Sequence, residues 1–290
     1  MSVPVVSLSS GHKIPALAYG LGTTWYKQSP GDIDQKTKDG IKLALSLGYR
    51  HIDGAQMYNN EAEIGSAIAE SGVPRSEIFL TTKAKSWGNI EDSLAASLKL
   101  LQTDYVDLYL IHNPFGATKE QLQTAWKSME AVANRGLAKS IGVSNYAIPQ
   151  LTATLEVATI KPAVNQIEFH PYLPQDELCA FMRKHAIGLE AYGPVTPIFR
   201  ATPGPIDSSV KILADKHGVS DTAVMLRWVI DQGYVSVSTS SNPQRLKAML
   251  EDVGKFKLTE EEVAQLKDVS RAKTYRHFMP DKFQAMGVVP

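Results

Sequence analysis

The sequence predicts an α/β fold: a (β/α)8 TIM barrel with an N-terminal β-hairpin and extra peripheral helices. Three observations carry that expectation. Short apolar, β-like runs alternate with longer helical patterns in a regular beat. Most of those runs are continuously apolar, as strands buried on both faces of a parallel sheet are. No break in composition divides the 290 residues, so one barrel domain over 1–290 is preferred to two domains, although the length alone allows either.

The opening segment turns at Ser9-Ser10-Gly11, which suits a hairpin. Strand candidates follow at Ala16–Leu21, Arg50–Asp53, Ile78–Lys83, Val106–His112, Ser140–Ser144, Val164–Glu168, Gly188–Tyr192 and Val235–Ser238. The first helical segment, Asp34–Ser46, brings Ile41, Leu43, Ala44 and Leu45 near one face. Glu61–Ser71, Ile90–Leu101, Lys119–Asn134, Ile148–Val157, Asp176–His185, Asp221–Asp231 and Pro243–Asp252 follow the remaining strands. Ser220-Asp221 reads as a helix start, and Gly72, Gly136, Gly188 and Gly233 fall just past helix ends. Ser208–His217 and Glu260–Ala272 are left over as the extra helices. A doubly wound open sheet is the alternative. It would want a Gly-rich phosphate turn, but Gly20-Leu21-Gly22 followed by Thr23-Thr24-Trp25 lacks the third glycine and starts no helix.

Composition narrows the function. Lys+Arg and Asp+Glu are 30 each, so the net charge is zero and there is no basic surplus for nucleic acid. No apolar run reaches the ~18 residues of a membrane span. Cys179 is the single cysteine, which rules out an internal disulfide or a Cys-based zinc cage. The N-terminus has no signal-peptide pattern, and the expected location is the cytoplasm. A metal site is not expected, because no strand is followed by two histidines one residue apart.

In this fold the chemistry sits at the C-terminal ends of the strands. There the sequence puts Asp53 with Tyr58 shortly after it, then Lys83, His112, Ser144-Asn145, Gln166 with Glu168, Tyr192, and Thr239-Ser240-Ser241 with Arg245 beyond. Each has an ordinary structural reading. Asp53 could cap a helix, Lys83 could be a wetted strand end, His112 a core histidine, and Tyr58 and Tyr192 rim aromatics. Their convergence on successive strand ends favours a site.

At these residues the chain resembles the aldo-keto reductase family, from about Val5 to about Leu266. The segments that carry the resemblance are Gly20-Leu21-Gly22-Thr23, Gly48-Tyr49-Arg50-His51-Ile52-Asp53 with Ala55, Tyr58 and Asn60-Glu61, Thr81-Thr82-Lys83, Asp107–His112, Ile141–Asn145, Asn165-Gln166 with His170-Pro171-Tyr172, and Ala191-Tyr192. The resemblance implies a catalytic tetrad of Asp53, Tyr58, Lys83 and His112. Reducing a carbonyl by hydride leaves an alkoxide that needs a proton. Tyr58 is the expected donor. Lys83 would lower its pKa by roughly 1–3 pH units, as a close opposite charge does. Asp53 would pair with Lys83, and His112 would orient the substrate oxygen as a neutral imidazole.

The hydride must come from a cofactor, and the resemblance implies NADPH. Ser144, Asn145 and Gln166 would meet its carboxamide and Tyr192 its ring. Thr23, Thr24, Asp53, Gly193, Pro194 and Val195 complete that part of the cradle. Thr239, Ser240, Ser241 and Arg245 would meet the adenosine 2′-phosphate. Thr239 stands where relatives usually carry Lys, which predicts a weaker phosphate contact, and Ala248-Met249 replace a Glu-Asn pair that often touches adenine.

Trp25, Trp87, His112 and Asn113 are the candidates for the substrate wall. Asn113 stands where many relatives have Trp, and it either opens that wall or is a wetted loop residue. These departures, with the short tail around Tyr275-Arg276, Phe278 and Phe283, resemble the fungal branch that includes α-keto amide and conjugated polyketone reductases. The implied substrates are small activated ketones: keto esters, keto amides, diketones or keto lactones. No nucleic-acid or membrane partner is expected, and the chain is expected to be a monomer or weak dimer. The rival reading is a cofactor-sensing binding subunit with weak or vestigial reductase activity.

Overall fold

The computed structural model describes residues 3–288; residues 1, 2, 289 and 290 of the expected domain lie outside the described part. The hairpin pairs β1 (Val5–Ser7) with β2 (Lys13–Pro15) in antiparallel register, Val6 opposite Ile14. Its apolar residues seal one end of a barrel: Leu8 and Ile14 join Phe79, Leu108, Leu110, Val164 and Val235 in a separate buried cluster.

The barrel consists of β3 (Leu17–Gly20), β4 (His51–Asp53), β5 (Phe79–Ala84), β6 (Val106–Ile111), β7 (Ala138–Ser144), β8 (Val164–Glu168), β9 (Gly188–Tyr192) and β10 (Val235–Ser238). All eight are parallel, and β10 closes the ring by pairing with β3. The expected strands match these within a residue or two at each end. Burial on both faces is the reason their apolar runs are continuous.

The main helices are α1 (Gln35–Leu47), α2 (Glu61–Glu70), α3 (Ile90–Leu101), α4 (Lys119–Asn134), α5 (Ile148–Leu155) and α6 (Asp176–Lys184). Beyond β9 come α7 (Thr196–Phe199), α8 (Asp207–His217), α9 (Asp221–Ile230), α10 (Pro243–Lys255), α11 (Glu260–Ser270) and α12 (Pro280–Ala285). Helix starts are fixed by side-chain acceptors: Asp34 takes the Lys36 and Thr37 amides, and Ser220 takes that of Ala223. The short α7 and α12 were not anticipated, because one or two turns are too short to show a period.

Gly72, Gly136 and Gly233 take the left-handed backbone expected past helix ends. Gly188 does not. It lies inside β9, and the left-handed turn before it is made by Ala186, with φ 59°. A Cβ on Gly188 would stand 3.1 Å from the Ala163 carbonyl oxygen, so this glycine serves close strand approach instead.

Candidate active site

Asp53 ends β4, Lys83 lies near the end of β5, and His112 follows β6. Tyr58 sits on a 3-10 turn, Gln56–Tyr58, that Asn59 ends in the left-handed region. The phenol lies directly against the loop after β3. A Cβ on Gly22 would be 2.6 Å from Tyr58 Cζ, so that glycine is required for the ring to lie there.

Lys83 is fully buried and donates from Nζ to Asp53 Oδ1 and to the Gly54 carbonyl, each at 2.7 Å. Its third approach is to the Tyr58 hydroxyl, at 3.5 Å. On the other side the same hydroxyl is 3.5 Å from His112 Nε2. The expected tetrad therefore comes together, with the phenol between an ammonium and an imidazole.

Electrostatics assign the protonation states. Burial opposes the Lys83 charge, but Asp53 and Tyr58 outweigh it and hold the ammonium above its ordinary pKa. Burial raises the Tyr58 phenol while Lys83 pulls it down, and burial wins. The sequence expectation of a lowered Tyr58 pKa is thus corrected: Lys83 acts in the expected direction without setting the net sign. A protonated phenol is what a proton donor needs. Burial, and then the Lys83 charge, push His112 down to about 3, so it is a neutral imidazole near pH 7.

A cavity of about 560 Å³ opens over this cluster. It is lined by Asp53, Tyr58 and His112 together with Thr23, Thr24, Ser144, Asn145, Gln166, Tyr192, Gly193, Pro194, Val195, Thr239, Ser240, Ser241 and Arg245. The expected cofactor residues thus share one cavity with Asp53, Tyr58 and His112, while Lys83 lies buried behind it. Tyr192 donates to Asn145 Oδ1 at 2.6 Å, and Asn145 Nδ2 donates to the His112 carbonyl at 2.9 Å. Gln166 Nε2 donates to Asp53 Oδ2 at 2.8 Å, so the amide cluster is wired into the tetrad.

At the far end of the cavity Ser240 bonds to the Asn242 backbone, while other donors are uncommitted. Thr239 Oγ1 is buried without a partner, and among the described residues neither Arg245 nor Arg200 forms an ion pair. Arg200, at the end of α7, is a lining cation that the sequence reading missed, and only the path of the loop after β9 could have revealed it. Ala248 and Met249 also line the cavity. Hydroxyl and guanidinium donors at one end, with an aromatic ring and amides at the other, fit a phosphorylated nicotinamide dinucleotide.

Trp25, expected on the substrate wall, does not line this cavity: its ring closes over α1, where a Cβ on Gly40 would be 2.7 Å from Cζ2, and it is 5% exposed. Its neighbour Tyr26 is the exposed aromatic, edge-on to Tyr58 at 6.4 Å between centroids. Sequence alone could not choose between adjacent aromatics on an irregular loop. Trp87 is half-buried and donates to the Phe115 carbonyl at 3.4 Å. Asn113 accepts the Phe115 amide at 3.2 Å, which makes it a turn former. Neither lines the cavity; of the four candidates only His112 does.

The profile of the aldo/keto reductase family matches residues 18–271, most of the chain. The chain belongs to the aldo/keto reductase family. It is thereby an oxidoreductase acting on carbonyl groups. It is 40% identical over 274 residues to the NAD/NADP-dependent indole-3-acetaldehyde reductase of Schizosaccharomyces pombe, covering 93% of this chain and 96% of that one. It is 41% identical over 281 residues to the NADPH-dependent alpha-keto amide reductase of Saccharomyces cerevisiae, covering 91% and 89%. A Bombyx mori aldo-keto reductase solved in complex with NADP superposes with a TM-score of 0.81 at 34% identity, covering 93% of each chain. Among the described residues no helix is long and apolar enough to cross a membrane, and no group of three or more His, Cys, Asp or Glu could hold a metal ion.

Proposed function

We propose that this aldo/keto reductase is an NADPH-dependent carbonyl reductase for small activated ketones, with Tyr58 as the proton donor. The observation that carries the reading is the Tyr58 hydroxyl, 3.5 Å from both Lys83 Nζ and His112 Nε2 and facing the cavity. NADPH, when bound, supplies the hydride. Ser144, Asn145, Gln166 and Tyr192 would hold its nicotinamide end, and Thr239, Ser240, Ser241 and Arg245 its 2′-phosphate.

The protein's own part follows from the geometry. A carbonyl oxygen received by Tyr58 and His112 accepts hydrogen bonds from a phenol and an imidazole Nε2–H. As charge builds on that oxygen, the Tyr58 proton moves to it. The phenolate left behind faces the Lys83 ammonium, which Asp53 and the Gly54 carbonyl hold in place. Burial removes competing water and strengthens each of these interactions.

The ketone preference rests on the NADPH-dependent alpha-keto amide reductase among the relatives. The same reading takes the chain to be cytoplasmic and a monomer or weak dimer. A panel of keto ester, keto amide, diketone, keto lactone, arylacetaldehyde and aldose tests it by the loss of NADPH absorbance. Activated ketones should give the highest kcat/KM; an aldose in that place would refute the substrate assignment.

A further inference from the structure

Glu168 ends β8 fully buried, yet the tetrad makes no use of it. A buried carboxylate is costly unless its oxygens are hydrogen-bonded. Here much of that satisfaction comes from a distant part of the chain. The His277 amide donates to Oε1 at 2.8 Å and the Phe278 amide to Oε2 at 2.9 Å, while His170 Nε2 lies 3.1 Å from Oε1.

The segment so gripped has no regular structure between α11 and α12. One of the two gripped residues, Phe278, also lines the cavity. The Phe278 ring stands edge-on to Tyr192, with centroids 5.3 Å apart at 84°. It also presses on Gly193, where a Cβ would be 2.9 Å from Phe278 Cε2. Tyr192 is the register partner of Glu168 across β8 and β9 and donates to Asn145. A continuous path therefore runs from the Glu168 carboxylate through the tail backbone and Phe278 to Tyr192 and the amide cluster.

We infer that Glu168 is a positioning residue for cofactor binding: it clamps the C-terminal segment so that Phe278 backs Tyr192. This rests on the reading that Tyr192 meets the nicotinamide. Glutamine is nearly isosteric, but its NH2 would face one of the two tail amides, donor against donor. Glu168→Gln should therefore loosen the tail while adding no bulk.

The test measures NADPH affinity by quenching of tryptophan fluorescence, and melting temperature without cofactor, in wild type, Glu168→Gln, Phe278→Ala and the double variant. Each single change should raise the NADPH Kd about tenfold. The double should be no weaker than the worse single, because both interrupt one path. Glu168→Asp, which keeps two acceptors, should recover part of the affinity. A folded Glu168→Gln protein with a lower melting temperature but unchanged Kd would reduce Glu168 to a structural residue and overturn the inference. Should Glu168→Gln fail to fold, Glu168→Asp decides against Phe278→Ala, since Phe278 also lines the cavity: unchanged Kd in Glu168→Asp overturns the inference, and a rise that does not add to that of Phe278→Ala supports it. Wild-type protein that does not bind NADPH would instead refute the proposed function.

Discussion

Gln166 donates to Asp53 Oδ2 while Lys83 occupies Oδ1, so one carboxylate joins a cavity-lining amide to the ammonium that faces Tyr58. Gln166→Leu removes one of these two hydrogen bonds. A hydrogen bond to a charged group contributes about 1.5–3 kcal/mol, or roughly 10–100-fold. Steady-state kinetics should show kcat/KM for the ketone lower by that factor and a raised KM for NADPH. An effect on only one of the two parameters would mean that the connection is not functional.

Acid should destabilise the fold through its buried histidines. Burial pushes His51 down to about 4 against the pull of Asp53, and His112 lies at about 3. Unfolded, both take a proton near pH 6.5. Between those values the unfolded chain binds more protons, so this stability is complete above about pH 6.5 and is lost as the pH falls toward 4 and 3. Between pH 7.5 and 4.5 the melting temperature of the wild type should fall relative to that of a His112→Gln variant. Parallel curves for the two proteins would contradict the assignment for His112.

Cofactor choice should depend on Arg245. Its guanidinium lines the cavity without an ion-pair partner among the described residues, beside the hydroxyls of Ser240 and Ser241. Arg245→Ala should weaken NADPH binding by roughly 10–100-fold, the value of charge-assisted hydrogen bonds, and leave NADH nearly unchanged. Thr239→Lys adds a further cation beside Ser240 and should tighten NADPH. Titrations with both nucleotides check this, and equal losses for NADPH and NADH in Arg245→Ala would place the 2′-phosphate elsewhere.

The two adjacent aromatics should separate specificity from stability. Trp25→Ala opens a void beside α1 and should cost about 3–5 kcal/mol in denaturant unfolding. Tyr26→Ala removes an exposed ring beside Tyr58 and should shift KM between large and small ketones with little loss of stability. The reverse pattern would restore Trp25 to the substrate wall.

Much of this is legible in the sequence. The barrel could be read because strands buried on both faces leave continuous apolar runs, and Asp53, Lys83 and His112 could be read because strand ends are where such a barrel presents side chains. Gly188 misled because a glycine after a helix and a glycine at a strand start look alike in sequence. Arg200 was missed since irregular loops have no period from which to infer direction. The clamp between Glu168 and the His277 and Phe278 amides joins residues more than a hundred positions apart through main-chain donors, which no side-chain pattern reveals.

The central claim is that the Tyr58 hydroxyl gives its proton to the carbonyl oxygen, and Tyr58→Phe tests it with the ring left in place. NADPH should bind within about twofold of wild type, while kcat for an activated ketone should fall about 10²–10⁴-fold, the range of general acid catalysis. Turnover close to wild type in a Tyr58→Phe protein that binds NADPH would contradict the account.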